Sequence, residues 1–210
     1  MGISVNDSKL AELARLIDGW PGLVSAPAGD LIDDCLVLVP YLAEAATLVD
    51  VGSGGGLPGL PLKIMVPRLE VTLVEADGRK AAFLTQACAR LGLAGVRVVG
   101  QRAEDAARDV ALREAFDVAV ARALAPMPVL AELCLPFVRV GGRLLAQKTR
   151  DEDVRAAGRA IELLGGGAAR VEPAPSRLRS AGIVVVVDKV APTPEAYPRR
   201  AGVPSRRPLS

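Results

Sequence analysis

The sequence predicts a doubly wound, largely parallel α/β sheet preceded by helices, and three observations lead there. Short apolar runs alternate with segments of helical period from residue 47 onward. The run at 183–190 is almost unbroken valine, the pattern of a strand buried on both faces. A glycine cluster follows the first strand directly, where the chain must turn sharply into a helix.

Taken in order, residues 6–19 read as a helix, capped by Asn6 or Asp7, with Leu10, Leu13, Leu16 and Ile17 at helical spacing. Trp20, Pro21 and Gly22 stop it. A second helix is expected over 30–42, burying Ile32, Cys35, Leu36 and Val39. The strand 47–51 then enters the glycines and a helix whose first turn holds Pro58. Strand 71–75 and helix 79–91 follow, the helix with Phe83, Leu84, Ala87, Cys88 and Leu91 on one face and Gly92 as its stop. Next come strand 96–99, a short helix near 106–113, strand 116–121 and a proline-interrupted helix through 133. Strand 142–147, helix 152–164 and strands 168–172 and 183–190 complete the set, joined by right-handed crossovers. The organisation expected is an N-terminal helical region (1–45), a core (46–191) and a Pro/Arg-rich tail (192–210), within a single structural domain.

The 210 residues are ample for one large core, with 50% hydrophobic and 24% charged residues, an ordinary globular balance. No apolar run approaches the ~18 residues of a membrane helix, and the N-terminus does not read as a secretory signal. Cys35, Cys88 and Cys134 are far apart and form no CxxC pair, so they read as core residues of a protein in a reducing cytoplasm. The chain has no histidine, which removes Ser-His-Asp triads, Cys-His pairs and HExxH zinc sites, and no metal is expected. Charge is uneven: residues 1–138 carry 12 basic against 17 acidic residues, and 139–210 carry 14 against 7. Of the 26 basic residues 21 are arginine, the better bidentate partner for phosphate, so a polyanion is expected against the C-terminal third.

The strongest chemical signal is the loop after the first strand. Residues 54–59 spell the dinucleotide fingerprint G-x-G-x-x-G, but two residues late; begun at Gly52, its third glycine falls on Leu57. The pattern acid-x-Gly-x-Gly-x-Gly fits in register as Asp50, Gly52, Gly54 and Gly56, and it matches the S-adenosylmethionine loop of class I methyltransferases. Glu75, ending the next strand, is placed to accept ribose hydroxyls in either cofactor class.

Extended through Leu-Pro-Gly-Leu-Pro at 57–61, the loop resembles the ribosomal RNA small subunit methyltransferase G family, also called glucose-inhibited division protein B. Further matches follow in order: Glu75; Arg79-Lys80 with Phe83-Leu84; Arg102-Ala103-Glu104-Asp105; Ala121-Arg122-Ala123; Lys148; and the ending Tyr197-Pro198-Arg199-Arg200-Ala201-Gly202-Val203-Pro204. The resemblance implies a class I, Rossmann-like S-adenosylmethionine-dependent methyltransferase with a last antiparallel strand. It implies action on 16S rRNA of the small ribosomal subunit, at N7 of a guanine, position 527. Cofactor contacts carried over fall on Gly52, Leu57, Ala103, Glu104 and Arg122, with Glu75 at the ribose. Glu104 would accept the exocyclic amine of adenine. The chain departs from the family before the loop, where residues 20–34 contain neither its Asn-Leu-Thr element nor its His-x-x-Asp-Ser segment.

Attack by guanine N7 releases no proton, so a site without histidine suits it. The stretch 121–126 lacks the Asn/Asp-Pro-Pro-aromatic element of exocyclic-amine methylation, and Cys134, in Leu-Cys-Leu-Pro, reads as structural rather than as a C5-methylation nucleophile. Trp20, Tyr41, Phe83, Phe116, Phe137 and Tyr197 mostly read as core, leaving no broad stacking platform for RNA. RNA would be held by Arg122, Lys148, Arg199, Arg200, Arg206 and Arg207, the first two as substrate-positioning residues. The expected partner is 16S rRNA or the small subunit, with no membrane and no DNA, and the protein a monomer. Two alternatives stand beside this: a non-catalytic ribosome-binding relative that kept the pocket, and a NAD-type oxidoreductase.

Overall fold

The computed structural model describes residues 5–209. Its elements are α1 (Val5–Asp18), α2 (Ala28–Cys35), β1 (Thr47–Val51), α3 (Gly59–Met65), β2 (Glu70–Val74), α4 (Gly78–Leu91), β3 (Val96–Val99) and α5 (Ala103–Ala106). They continue with β4 (Phe116–Arg122), α6 (Met127–Cys134), β5 (Val138–Thr149), α7 (Gly158–Leu163), β6 (Arg170–Pro173), β7 (Gly182–Asp188) and α8 (Val203–Arg206). The strands form one seven-stranded sheet in the order β3-β2-β1-β4-β5-β7-β6. β1 to β5 pair in parallel and β7 runs antiparallel to both its neighbours, so the last strand of the chain is the antiparallel one expected.

Helices cover both faces, and two apolar layers result. Leu48, Leu73, Val118, Val120 and Leu145 pack under α1 to α4. Val49, Val51, Ala119, Leu144 and Val185 pack under α6 and α7. Each fully buried Val or Leu contributes about 1.5–3 kcal/mol, so a sheet covered on both faces is the dominant stabilising element. α1 joins the first layer through Leu13 and Ile17, and the following segment is anchored by Trp20, which meets Phe83 edge-on at 5.3 Å. Asp77 caps α4 by accepting from the Arg79 and Lys80 amides, and Gly92 closes it at φ 58. Asp117 ties the start of β4 to β1 by accepting from the Ala46 and Thr47 amides at 2.8 and 2.9 Å.

Three expected helices end differently, each for a local reason. The helix over 30–42 is α only to Cys35; a 3-10 stretch, Leu36–Leu42, follows because Pro40 has no amide to donate. The helix near 106–113 instead spans Ala103–Ala106, and the next turn is closed by the Asp109 carboxylate on the Ala111 amide. The helix over 152–164 begins only at Gly158, since the Glu152 carboxylate is engaged with the Met127 amide and Lys148.

The tail is not a loose basic arm. Arg113 donates to the carbonyls of Thr193, Pro194 and Tyr197, and Arg108 to that of Pro198. Lys189, 1% exposed, binds Glu114 and Thr193 beneath it. Residues 1–4 and 210 of the expected terminal segments lie outside the described residues.

Candidate functional site

Strand order reverses between β1 and β4, and a crevice beyond the carboxyl ends of the strands is where open α/β sheets bind ligands. A cavity of about 640 Å³ lies there. The loop after β1 contributes Gly52 to Gly55 and Leu57, the residue following β2 is Glu75, α5 contributes Ala103 and Glu104, and β4 contributes Arg122. The segment after α1 closes one side with Leu23, Val24 and Ser25.

The glycines of the loop divide by what surrounds them. At Gly54 (φ +54) an added Cβ meets only the Gly52 carbonyl oxygen at 3.9 Å, so its missing side chain leaves open space at the cavity wall. At Gly56 (φ +83) a Cβ falls 2.4 Å from Leu60 Cδ1; this glycine allows packing of the loop on α3 and does not line the cavity. Glu75, 8% exposed, accepts from the Gly54 amide with Oε2 and from the Asp77 amide with Oε1, both at 2.8 Å, which fixes the carboxylate against the loop.

Asp50 is a correction. It is fully buried and absent from the cavity wall, and its Oδ2 accepts from the Gly59 amide at 2.9 Å, so it fastens the loop to the start of α3. Burial pushes its carboxyl up to about 7, with the nearby Glu75 charge adding to the rise. The folded chain therefore binds this proton more tightly than the unfolded one. Its contribution to stability is present in full below about pH 4 and is lost as pH rises through 7. No histidine competes in that window. Urea unfolding at pH 5.5 and 7.5 is expected to show lower stability at 7.5, and Asp50→Asn to flatten the difference; equal wild-type stabilities at the two pH values refute the assignment.

Two further expected site residues have partners within the chain. Glu104 lines the cavity at 2% exposure, but its Oε1 already accepts from the Gly202 amide at 2.7 Å and faces Arg102, joining the tail to the cavity wall. Arg199 is half-buried and engaged: its Nε and Nη2 hold Glu132, which is fully buried, at 2.9 and 2.6 Å. Arg200, Arg206 and Arg207 are exposed. The charge asymmetry along the chain is thus partly internal, because C-terminal cations pair with Asp34, Glu114, Asp117 and Glu132 of the acidic part.

The sequence reading missed Asp34. It is fully buried in α2, accepts Arg179 Nε at 2.8 and 2.9 Å and Ser176 Oγ at 2.5 Å, and lies 3.3 Å from Arg122 Nε. Burial raises its carboxyl, but the bonds from Arg179, Ser176 and Arg122 outweigh that and hold it below the usual range. Lys148 is set apart from the main cavity: Nζ is held by the Ala125 carbonyl and by Glu152 at 2.9 Å.

The geometry has counterparts. Residues 29–175 match the family model described as rRNA small subunit methyltransferase G. The ribosomal RNA small subunit methyltransferase G of Chloroflexus aggregans is 45% identical over 181 residues, 85% of this chain and 76% of that protein. The enzyme of the same name from Roseiflexus sp. is 51% identical over 166 residues, 78% and 71% of the two chains. Among solved structures, the O-methyltransferase TomG of Streptomyces achromogenes, in complex with SAM, superposes with a TM-score of 0.59 at 20% identity, covering 88% of this chain and 91% of that one. The T. thermophilus 16S rRNA N2 G1207 methyltransferase, in complex with AdoMet and guanosine, gives 0.53 at 20% identity over 75% and 39%. With a model match over most of its length and relatives near half identical, the chain belongs to the rRNA small subunit methyltransferase G family.

Proposed function

We propose that this protein transfers a methyl group from S-adenosylmethionine to N7 of a guanine in 16S rRNA of the small ribosomal subunit, at position 527 by family resemblance. The observation that carries the reading is the cavity at the strand-order switch, walled by the glycine loop and by a fixed carboxylate at the end of β2. Its residues fit the cofactor. Gly54 leaves room for a ligand against the backbone, and Glu75 offers a carboxylate to ribose hydroxyls. Ala103 and Glu104 would hold the adenine, with Glu104 Oε1 shared with the tail, and Gly52, Leu57 and Arg122 complete the wall.

When bound, S-adenosylmethionine supplies a methyl on sulfonium sulfur; the guanine N7 lone pair takes it as the carbon–sulfur bond breaks and its electrons return to sulfur. No proton leaves N7, so the chain's task is alignment and exclusion of water. A cavity wall without histidine meets that requirement, and Asp50, the carboxyl pushed up to about 7, stands outside the wall. The reading places the protein in the cytoplasm with the small subunit as partner; no helix among the described residues is long and apolar enough to cross a membrane. Mass spectrometry of 16S rRNA nucleosides with and without the gene tests it, 7-methylguanosine being lost from the second. Calorimetry should show binding of S-adenosylmethionine and not of NAD. NAD binding alone, or unchanged 7-methylguanosine, overturns the proposal.

For the RNA, Arg200, Arg206 and Arg207 are the tail's exposed cations. Replacing these three by Gln is expected to flatten the slope of log K against log salt for subunit binding by roughly 0.7–0.9 per lost contact, leaving cofactor affinity unchanged. Arg199→Gln should act differently. It leaves buried Glu132 without its charge partner and costs about 3 kcal/mol, read as a lower Tm with the salt slope intact. An unchanged slope in the triple variant removes the tail from the RNA interface.

A further inference from the structure

The tail reaches the wall of the cofactor cavity through Gly202, and the bond made there has a direction. Upstream of it the tail is fixed by groups outside the cavity. Arg113 donates to the carbonyls of Thr193, Pro194 and Tyr197, and Glu132 accepts from both the amide and the side chain of Arg199. Three residues later Gly202 turns at φ +77 and donates its amide to Glu104 Oε1 at 2.7 Å. A Cβ on Gly202 would meet only the far end of Arg206, at 3.6 Å, so the turn, and not crowding, requires glycine. Glu104 has far less support of its own. It stands on α5, a single helical turn of four residues. Its other side-chain partner, Arg102, is 54% exposed and 3.4 Å away, a weak and solvent-screened tie. Burial raises the Glu104 carboxyl, but the Gly202 amide, its own amide and Arg102 outweigh that and hold it below the usual range. It is therefore a carboxylate at neutral pH. A carboxylate has about four acceptor positions, so the bond to the tail leaves capacity for a ligand.

We propose that the C-terminal tail is part of the cofactor site, its Gly202 amide being a positioning group that holds the Glu104 carboxylate for the exocyclic amine of adenine. The proposal rests on the functional reading above, in which Glu104 meets adenine. Without the bond, Glu104 keeps only the exposed Arg102 as a side-chain partner. Its rotamers would then have to be ordered at each binding event, a cost that pre-organisation removes. The tail can bear this role because its own anchors, Arg113 and Glu132, do not touch the carboxylate they help to place. A tail that served only as packing would stabilise the fold but leave base selectivity untouched, since packing does not distinguish an amine from a carbonyl at C6. An oriented carboxylate does distinguish them: it pairs with the amine and sets acceptor against acceptor when a carbonyl replaces it.

The test changes one backbone group in the full-length chain. Residues 1–200 are ligated to a synthetic 201–210 segment in which position 202 is joined either by its natural amide or by an ester, which keeps the glycine backbone and removes the donor. Ala201 is exposed and serves as the junction, as Ala201→Cys in both products. Binding of S-adenosylhomocysteine and of S-inosylhomocysteine, which carries a carbonyl at C6, is measured by calorimetry. From amide to ester, affinity for S-adenosylhomocysteine is expected to fall about 10-fold, the scale of a hydrogen bond to a charged group. The preference for it over S-inosylhomocysteine should shrink by a similar factor. Gly202→Pro, expressed rather than ligated, lacks the same N–H and is expected to show both losses. A lower melting temperature with affinity and selectivity intact, in either folded chain, makes the tail a structural strap and overturns the proposal. Failure of the amide-linked protein to bind S-adenosylhomocysteine overturns the functional reading instead, so the two failures are distinct.

Discussion

Gly54→Val is expected to abolish S-adenosylmethionine binding while the chain remains folded. The site of substitution is open: the nearest atom to a new Cβ is the Gly52 carbonyl oxygen at 3.9 Å, and the branches of valine would extend into space beside the cavity. Gly54 sits at φ +54, where an L-residue costs roughly 1–2 kcal/mol, a loss a domain of this size withstands. The loss in binding is larger, because a ligand lying against the loop backbone meets carbon where it had room. A fall in affinity of at least about 100-fold, about 2.7 kcal/mol, is expected by calorimetry. Gly56→Val should show the opposite partition. There the Cβ falls 2.4 Å from Leu60 Cδ1 and 3.1 Å from Leu84 Cδ2, so the loop and α3 must part and the melting temperature falls first. Native affinity in a folded Gly54→Val protein would place the ligand elsewhere.

How much of this was legible in the sequence depends on how local each cause is. The strand–glycine–helix unit was readable because its parts lie within about a dozen residues and glycine spacing reports backbone directly. The roles inside it were less so. Asp50 and Gly56 share the loop's register with Gly52 and Gly54, yet the positive φ of Gly52, Gly54 and Gly56 breaks the strand's alternation, so Asp50 meets the Gly59 amide and Gly56 packs against Leu60. A repeat fixes spacing, not the side of the turn on which each residue lies. The partner of Arg199 in the tail is hidden for a different reason. Counting charge by position treats Arg199 as free, whereas its partner Glu132 is 67 residues away and is brought there by α6. Asp34 was hidden most completely: Arg122, Ser176 and Arg179 lie 88, 142 and 145 residues along the chain. No periodicity connects such positions, and the helical pattern around Asp34 reports its apolar face, not the partners of its carboxylate.

That same residue underlies the second large effect, for Asp34→Ala is expected to destabilise the fold by about 3–5 kcal/mol and to disable methyl transfer together. Asp34 has no exposed surface, while Arg122 and Arg179 keep only 18% and 14% of theirs. Removing the carboxylate leaves two mostly buried guanidinium groups facing each other without a counter-charge, the costly way to break a buried pair. For a chain of this length each kcal/mol lowers the melting temperature by roughly 2–4 °C, so a drop of about 6–20 °C is expected. Asp34→Asn separates charge from contact. The amide oxygen can still accept from Ser176 or Arg179, and the backbone carbonyl still receives Gln147, so less stability is lost. The arginines, however, lose the anion that aims them at the cavities they line. Asp34→Asn should therefore fold, bind S-adenosylmethionine within a few-fold of the wild type and methylate subunits at least about 10-fold more slowly. The pH profile adds a check with a definite sign. A carboxyl held below its usual range stabilises above about pH 4, and that stability is lost as pH falls through its folded value. Wild-type stability should thus fall in acid more steeply than that of Asp34→Asn, in a window separate from the one Asp50 controls near neutrality. Parallel acid limbs, with full methyl transfer in Asp34→Asn, would show the cluster to be packing alone.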